Sequence, residues 1–373
     1  VKILFVCKRH PQQRDLIERP YGRFYHLPVA LAKLGHDVRV QLCSYRRLGS
    51  AQLEREGVVW SSHDFLTLGP LKLQATMTKE AAAYRPDWIF GLSDAWAGWL
   101  AHRLSRSVGS RLAIDAYDNY EAYMPWNLPM HWLWRRALRN ADLVTAAGPQ
   151  LADKLSRSTR NRSAVHILPM SADPCFVPQD RQACRSRLGL PNDVPLFGYS
   201  GGWTRSRGSD IVLEAFARVR QELPDACLVL TGKPPVHALS APGVIGLGYV
   251  DDALMPAVTN AVDLCCVVLA KTSFGRFSYP AKLCEAMACR VPVVASGTDA
   301  VTWMLGNDRR FLARVGDAAD HARLMLSNYR LHDPGYVLPP NWERSAAGLA
   351  DWLEDPVQRE SPNHAAPESF EKR

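Results

Sequence analysis

The chain holds 373 residues, 47% of them hydrophobic, which is enough for about two ordinary cores and too much for a disordered or fibrous protein. Its net charge of +8 suits anionic partners (nucleotides, phospholipid headgroups, anionic glycans, nucleic acid) without choosing between them. No apolar run approaches the roughly 20 residues of a membrane span, and nine cysteines with no CxxC spacing, and no HExxH, argue against a metal site and for buried thiols in a reducing compartment.

In chain order, VKILFVCKRH is too short for a signal peptide, lacks a small-residue cleavage site and reads as a first β-strand. Strand candidates follow at HDVRVQL, DWIFGLS, RLAID, ADLVTAAG and AVHIL, with helical patterns at RFYHLPVALAKLG and AWAGWLAHRLSRS. One further stretch, MPWNLPMHWLWRRALRN, opens at Met124 and closes at Asn140. It interleaves Trp126, Trp132 and Trp134 with Arg135, Arg136 and Arg139. Such a helix suits an interface rich in anionic lipid, or else a core whose tryptophans point inward and whose arginines are solvated. Residues 168–182, LPMSADPCFVPQDRQ, hold three prolines and little periodicity, as a linker does. Helix resumes at RQACRSRLGL, then PLFGYSG, ACLVLTG, GVIGLG, DLCCVVLA and VPVVAS repeat the strand theme, with SDIVLEAFARVRQEL as the plainest amphipathic helix. Beyond Pro356 the chain turns polar and charged, as a frayed tail does.

Strands alternating with helices argue for an α/β protein with parallel sheets covered on both faces. Two such sets predict two Rossmann-like domains, at residues 1–170 and 171–340, with a helix at 341–355 crossing back to the first and a tail at 356–373.

Open parallel sheets bind ligands beyond the carboxyl ends of their strands, which singles out three loops of the second half. In YSGGWTRSRGSDIVLEAF, Gly201 and Gly202 allow close backbone approach, and Arg205 and Arg207 stand beside the amides of a helix start; this is an anion site or a solvated glycine-rich turn. In FSYPAKLCEAMACRVPVVAS, Ser278 and Pro280 read as a helix start, and Ser278, Lys282, Glu285 and Cys289 then fall on one side. Glu285 is placed to accept from two vicinal hydroxyls and Lys282 to hold a phosphate, or the two form a surface pair worth a few tenths of a kcal/mol, about 0.3. In GLGYVDD, Tyr249 and Val250 offer backbone atoms to a base, or Asp251 or Asp252 simply starts a helix.

Together, SRGSDIVLEAF, GLGYVDD and KLCEAMACRVPVVAS resemble the donor-binding segments of the family 4 glycosyltransferases, the retaining group of GT-B architecture, in the same order and similar spacing. PVALAKLGHDVRV and NADLVTAAGPQLADKL extend the resemblance over most of the chain. The resemblance implies two Rossmann-like domains facing each other across a cleft. It implies transfer of a sugar from a nucleotide-sugar donor to a glycan or lipid-linked acceptor, with retention and without a metal or other cofactor. Matched position by position, Arg207 meets the donor diphosphate, with Lys282 and Arg205 beside it. Glu285 holds the ribose hydroxyls, and Tyr249 and Val250 contact the base. Gly22 and Arg23, in YGR, form the first-domain loop that approaches the donor phosphate. Ser278, Tyr279, Pro280 and Ala281 replace the sugar-contacting segment of other branches, and Asp118 in YDNYE is the candidate polar group near the acceptor hydroxyl.

Three departures stand out. Phe277 occupies the place of an earlier glutamate, Gly202 that of an arginine, and Tyr117 that of a first-domain histidine. They leave a catalytically weak nucleotide-sugar-binding partner protein as one alternative, and a nucleotide-sugar epimerase or hydrolase of the same architecture as another. A nucleic-acid partner is not expected, since the basic residues are dispersed and form no recognised motif. The expected location is cytoplasmic, with peripheral contact to an anionic membrane through the tryptophan–arginine helix.

Overall fold

The computed structural model describes residues 1–160, 165–203 and 208–354. Apolar β-branched runs bounded by glycine, proline and asparagine fold as short parallel strands, because helices cover both faces of the sheets they build. The first unit runs β1 (Lys2–Lys8), α1 (Gly22–Lys33), β2 (Asp37–Ser44), β3 (Ala51–Arg55), β4 (Val58–Asp64), α2 (Phe65–Tyr84), β5 (Trp88–Gly91), α3 (Ala95–Val108), β6 (Arg111–Ala116), α4 (Leu128–Asn140), β7 (Leu143–Ala146), α5 (Pro149–Ser156) and β8 (Val165–Ile167). Its sheet has the order β3-β4-β2-β1-β5-β6-β7-β8, and only β3 is antiparallel to its neighbour.

The second unit runs α6 (Arg181–Leu188), β9 (Leu196–Ser200), α7 (Asp210–Glu222), β10 (Cys227–Thr231), α8 (Val236–Leu239), β11 (Val244–Gly248), α9 (Met255–Ala261), β12 (Leu264–Val267), α10 (Ala281–Ala288), β13 (Val293–Ser296), α11 (Asp299–Met304), β14 (Leu312–Ala313) and α12 (Ala318–Asn328). Its order is β11-β10-β9-β12-β13-β14, with every pair parallel. The strand order reverses between β1 and β5 in one sheet and between β9 and β12 in the other. These are the switch points at which such sheets leave a crevice beyond their strand ends.

The last helix, α13 (Trp342–Glu354), packs against α1 and buries Trp342, Ala346, Leu349 and Leu353 in the first unit's core. The Trp88 indole donates to the Leu353 carbonyl at 3.1 Å. Met170 belongs to that first core and Phe176 to a core of the second unit, so the outward crossing of the chain occupies only the residues between them. The return crossing lies between Tyr336, packed on the second unit, and Trp342.

Two local findings modify the sequence reading. Residues 44–86, which suggest no element by pattern, form β3, β4 and α2. A two-residue turn at Glu56 and Gly57, both with positive φ (48° and 74°), closes the hairpin as primed turns do. The helix expected to start at Ser278 starts at Ala281 instead. A proline disfavours helical geometry in the residue before it, Pro280 itself is extended (φ −69°, ψ 121°), and no side chain caps α10. Ser278 ends a short 3-10 turn (Gly275–Phe277) and is buried.

Candidate functional site

The loops after β9 and β12 flank the second switch point, and the loop after β1 reaches toward them from the first unit. After β9, Gly201 packs against Tyr199, whose hydroxyl donates to the Gly202 carbonyl at 3.2 Å. The Trp203 indole donates to Asp210 Oδ1 at 3.1 Å, which holds that carboxylate at the opening of α7. Arg205 and Arg207 lie outside the described residues.

After β12 the backbone doubles back so tightly that a Cβ on Gly275 would stand 2.2 Å from the Ala270 carbonyl oxygen, so only glycine fits. Phe277 is half-buried, with Lys154 of the first unit 6.0 Å above its ring. Tyr279 is buried and crosses to the first unit, where its hydroxyl donates to Gln150 Oε1 at 3.0 Å and accepts from the Leu151 amide at 3.3 Å. Pro280 and Ala281 are half-buried, and Ala281 packs on the first unit's core. The sequence expectation that Tyr279 lines the donor therefore needs correcting: its ring is committed to the contact between the units.

Glu285 sits one turn into α10, half-buried. Burial pushes its carboxyl up from the ordinary 4.5, Lys282 opposes that, Asp173 and Asp252 reinforce it, and Arg14 opposes it again. These five groups converge at one place between the two units. Arg14 lies 3.5 Å from Asp252 and stacks 4.9 Å over the Tyr21 ring. Arg19 meets Asp252 at 2.7 Å, donates to the Tyr249 hydroxyl and lies over the same ring at 5.3 Å. Tyr249 is 63% exposed and Val250 half-buried. Neither arginine, nor Asp173 or Asp252 as a contact between units, was expected from the sequence. The available signal was position, because the loop that carries RDLIER follows the strand at the first switch point.

Gly22 opens α1 with a positive φ of 59°, and its amide donates to Asp173 Oδ1 at 2.9 Å, with His26 Nε2 3.3 Å from the same oxygen. A carboxylate thus rests on the positive end of this helix. Arg23, the next residue, points the other way. It is 0% exposed, pairs with Asp115 at 2.6 Å and donates to the Leu168 carbonyl at 3.1 Å. The expectation that Arg23 reaches a donor phosphate is overturned by that burial, and its role is to hold α1 to β6.

Asp118 is buried beyond the end of β6. Its Oδ1 accepts from the Asn119 amide at 3.0 Å and its Oδ2 from the Tyr123 hydroxyl at 2.7 Å, both local bonds. Tyr117 faces Phe24 edge-on at 5.1 Å, and burial with Asp118 beside it pushes its hydroxyl up. Asn119 and Tyr123 cross the gap: the Asn119 amide donates to the Ser273 carbonyl at 3.2 Å, and the Tyr123 ring lies 5.5 Å from Phe274. The structure therefore brings Gly22, Tyr249, Lys282 and Glu285 to one crevice and places Asp118 on its first-unit wall.

Among the described residues no three histidine, cysteine or acidic side chains gather as a metal site, and no helix is long and apolar enough to cross a membrane. In the tryptophan–arginine stretch, Trp134 is buried against Gly98 of α3, where a Cβ would stand 2.6 Å from its ring. Trp126 and Trp132 face solvent.

Comparison with known proteins gives matches in both units. A profile described as "Glycosyl transferase 4-like domain" covers residues 23–170, and one described as "Glycosyl transferases group 1" covers residues 194–330. A D-inositol 3-phosphate glycosyltransferase of Stackebrandtia nassauensis is 29% identical over 209 residues, 50% of this chain and 44% of the relative. That of Mycobacterium tuberculosis H37Ra is 27% identical over 235 residues, 50% of this chain and 46% of the relative. The matched region thus spans under half the length of these relatives. Among solved structures, a sucrose-phosphate synthase of Thermosynechococcus elongatus superposes with a TM-score of 0.71 over 96% of both chains at 18% identity. HepE of Anabaena in complex with UDP gives 0.67 over 96% of this chain and 97% of that one, also at 18% identity. At such identities the likeness is one of fold, and the fold is the expected GT-B pair of Rossmann-like units.

Proposed function

This chain belongs to the glycosyl transferases of group 1, and from that premise we propose that it moves a sugar from a nucleotide-sugar donor to a glycan or lipid-linked acceptor, with retention. The observation that supports the reading best is the convergence of Glu285 and Lys282, at the second switch point, on the loop that carries Arg14 and Gly22. In this reading the nucleotide lies along the strand ends of the second unit. The Glu285 carboxylate accepts from the ribose hydroxyls, and the backbone of Tyr249 and Val250 meets the base. As the bond from the anomeric carbon to the diphosphate breaks, negative charge grows on the departing phosphate. Lys282, Arg207 with Arg205, and the free amides at the start of α10 meet that charge. The acceptor oxygen forms its bond to the same face of the anomeric carbon, and its proton passes to the departing phosphate oxygen. In this reading Asp118, on the first-unit wall, is the candidate polar group near the acceptor hydroxyl.

The UDP and UDP-glucose complexes of the HepE fold relative make uridine nucleotides the first probes to try. Thermal-shift screening against UDP, GDP, ADP and their sugar conjugates tests the site, because a ligand of the native state raises the melting temperature by mass action. The expected result is a shift with one nucleotide, lost in Glu285→Ala and Arg207→Ala. No shift with any of them sinks the reading. Phe277, in the place where the family resemblance implies a glutamate, favours one second reading, a nucleotide-sugar-binding partner without turnover. Binding with neither transfer nor hydrolysis would select it. We also propose peripheral contact with an anionic membrane through residues 124–140, the stretch that leaves Trp126 and Trp132 in solvent.

A further inference from the structure

The loop between β1 and α1 reaches across the crevice from the first unit, and it is held at many points. Gln12 and Gln13 both take the left-handed conformation (φ 50° and 67°), which residues other than glycine seldom adopt. Around them the Arg9 guanidinium meets Asp15 at 2.9 Å, and Asp15 Oδ1 accepts from the Ile17 amide at 2.9 Å. The Asp15 carbonyl accepts from the Arg19 amide at 2.7 Å, and Arg55 donates to the Ile17 carbonyl at 2.9 Å. Leu16, Ile17 and Tyr21 are buried, and the Tyr21 hydroxyl donates to the Pro11 carbonyl. From this anchored loop two guanidinium heads, those of Arg14 and Arg19, project to the second unit, each about one-third exposed (34% and 36%).

They land on the path proposed for the nucleotide. Arg19 lies over the Tyr249 ring at 5.3 Å, donates to its hydroxyl and holds Asp252 at 2.7 Å, so it spans the loop assigned to the base. Arg14 lies over the ring of Tyr21, the residue before Gly22, and its field reaches the Glu285 carboxyl. Among the described residues Arg14 pairs with Asp252 alone, at 3.5 Å, which is longer than a charge-assisted hydrogen bond. One carboxylate therefore answers two arginines, and a positive charge is left over. Asp173 does not supply the missing anion, because it accepts from the Gly22 amide and lies 3.3 Å from His26.

We propose that Arg14 and Arg19 are donor-binding residues contributed by the first unit. Arg19 covers the face of the base whose edge meets the Tyr249 and Val250 backbone, and Arg14 turns from Asp252 to the donor diphosphate. The proposal rests on the donor reading above and adds a second wall to that site. A guanidinium suits both tasks, since its plane stacks on an aromatic face and its fork of donors matches phosphate oxygens. Asp252 keeps both heads at the crevice, and a diphosphate offers Arg14 the fuller charge. A latch that only ties the units together needs the same ion pairs, but it predicts a different response when Asp252 alone is neutralised.

The test is isothermal titration of the full chain with UDP, GDP and ADP and the matching monophosphates. Arg14→Ala, Arg19→Ala and Asp252→Asn accompany the wild type. Each arginine variant should bind the preferred diphosphate about tenfold more weakly, the scale of one contact to a charged group. The Arg19→Ala loss should be equal for diphosphate and monophosphate, whereas the Arg14→Ala loss should be larger for the diphosphate. Asp252→Asn breaks the ion pairs and keeps the cations, so its affinity should stay within about threefold of wild type. Asp252→Asn weakened as much as the arginine variants overturns the proposal, because all three residues then act as a latch. A loss confined to one arginine overturns the role of the other. Two arginine variants that bind like a competent wild type overturn this inference alone. A wild type that binds none of the nucleotides overturns the donor site, and this inference with it.

Discussion

Gly22 and Arg23 are adjacent in sequence and serve opposite ends. One gives its amide to the crevice, and the other buries its charge in the core against Asp115. A residue-by-residue match carries both to the donor because it sees spacing and not the turn of the helix between them. Replacing Arg23 by leucine should leave Asp115 buried without its cation and cost about 3–5 kcal/mol, measured by urea unfolding. Nucleotide affinity per folded molecule should be unchanged, whereas a phosphate contact would lower it. Glu285 offers the converse case. Burial raises its folded pKa above the unfolded value, so the ionised form is disfavoured in the fold, and stability is lost as pH rises through the unfolded pKa toward the folded one. Glu285→Gln should therefore raise the melting temperature at pH 7.5, an advantage that fades toward pH 4 where the wild type is protonated. The same variant should bind nucleotide less tightly, and wild-type affinity should fall on acidification at a pH above the ordinary carboxylate range. A variant that is less stable at pH 7.5, or that binds as well as the wild type, removes Glu285 from the site.

At the level of elements, what was legible followed from period and punctuation. The buried strands and α7 announce themselves by pattern, and so do the loops after β9, β11 and β12, because a parallel sheet puts every strand end on one edge. What was not legible depends on pairing. β3 is an edge strand with an alternating, half-exposed pattern that makes sense only beside β4. The commitment of Tyr279 depends on a glycine 131 positions earlier in the chain (Gly148), against which its ring sits. A Cβ on Gly148 would stand 2.2 Å from that ring, while the extended backbone there (φ −177°) suits any residue. Gly148→Ala should thus lower the melting temperature by driving Tyr279 out. Gly148→Ala/Tyr279→Ala should be less destabilised than the sum of the two single variants, since the clash is gone once the ring is. Additive losses would show that the ring has room to move.

At the level of the whole molecule, the two units are joined by polar contacts as well as by Tyr279. The pairs that Arg14 and Arg19 form with Asp252 are about one-third exposed, so each is a modest, salt-sensitive tie. Asp252→Asn should leave each unit folded and increase the radius of gyration measured by small-angle scattering at low salt. The difference from wild type should shrink as salt is added. An unchanged profile at low salt would mean that the remaining contacts, those of Tyr279 and Asn119 among them, hold the units together without Asp252.

Among the described residues the chain passes between the units twice, once between Met170 and Phe176 and once between Tyr336 and Trp342. Two anchored points define a line. A body tethered at two points can turn about that line easily and can do little else, because sliding or twisting would stretch one tether against the other. Opening of this molecule is therefore close to a motion with a single degree of freedom, like a door on two hinges. One distance measured across the crevice reports its whole state, and anything that binds there, from either wall, acts by moving the population along that one coordinate.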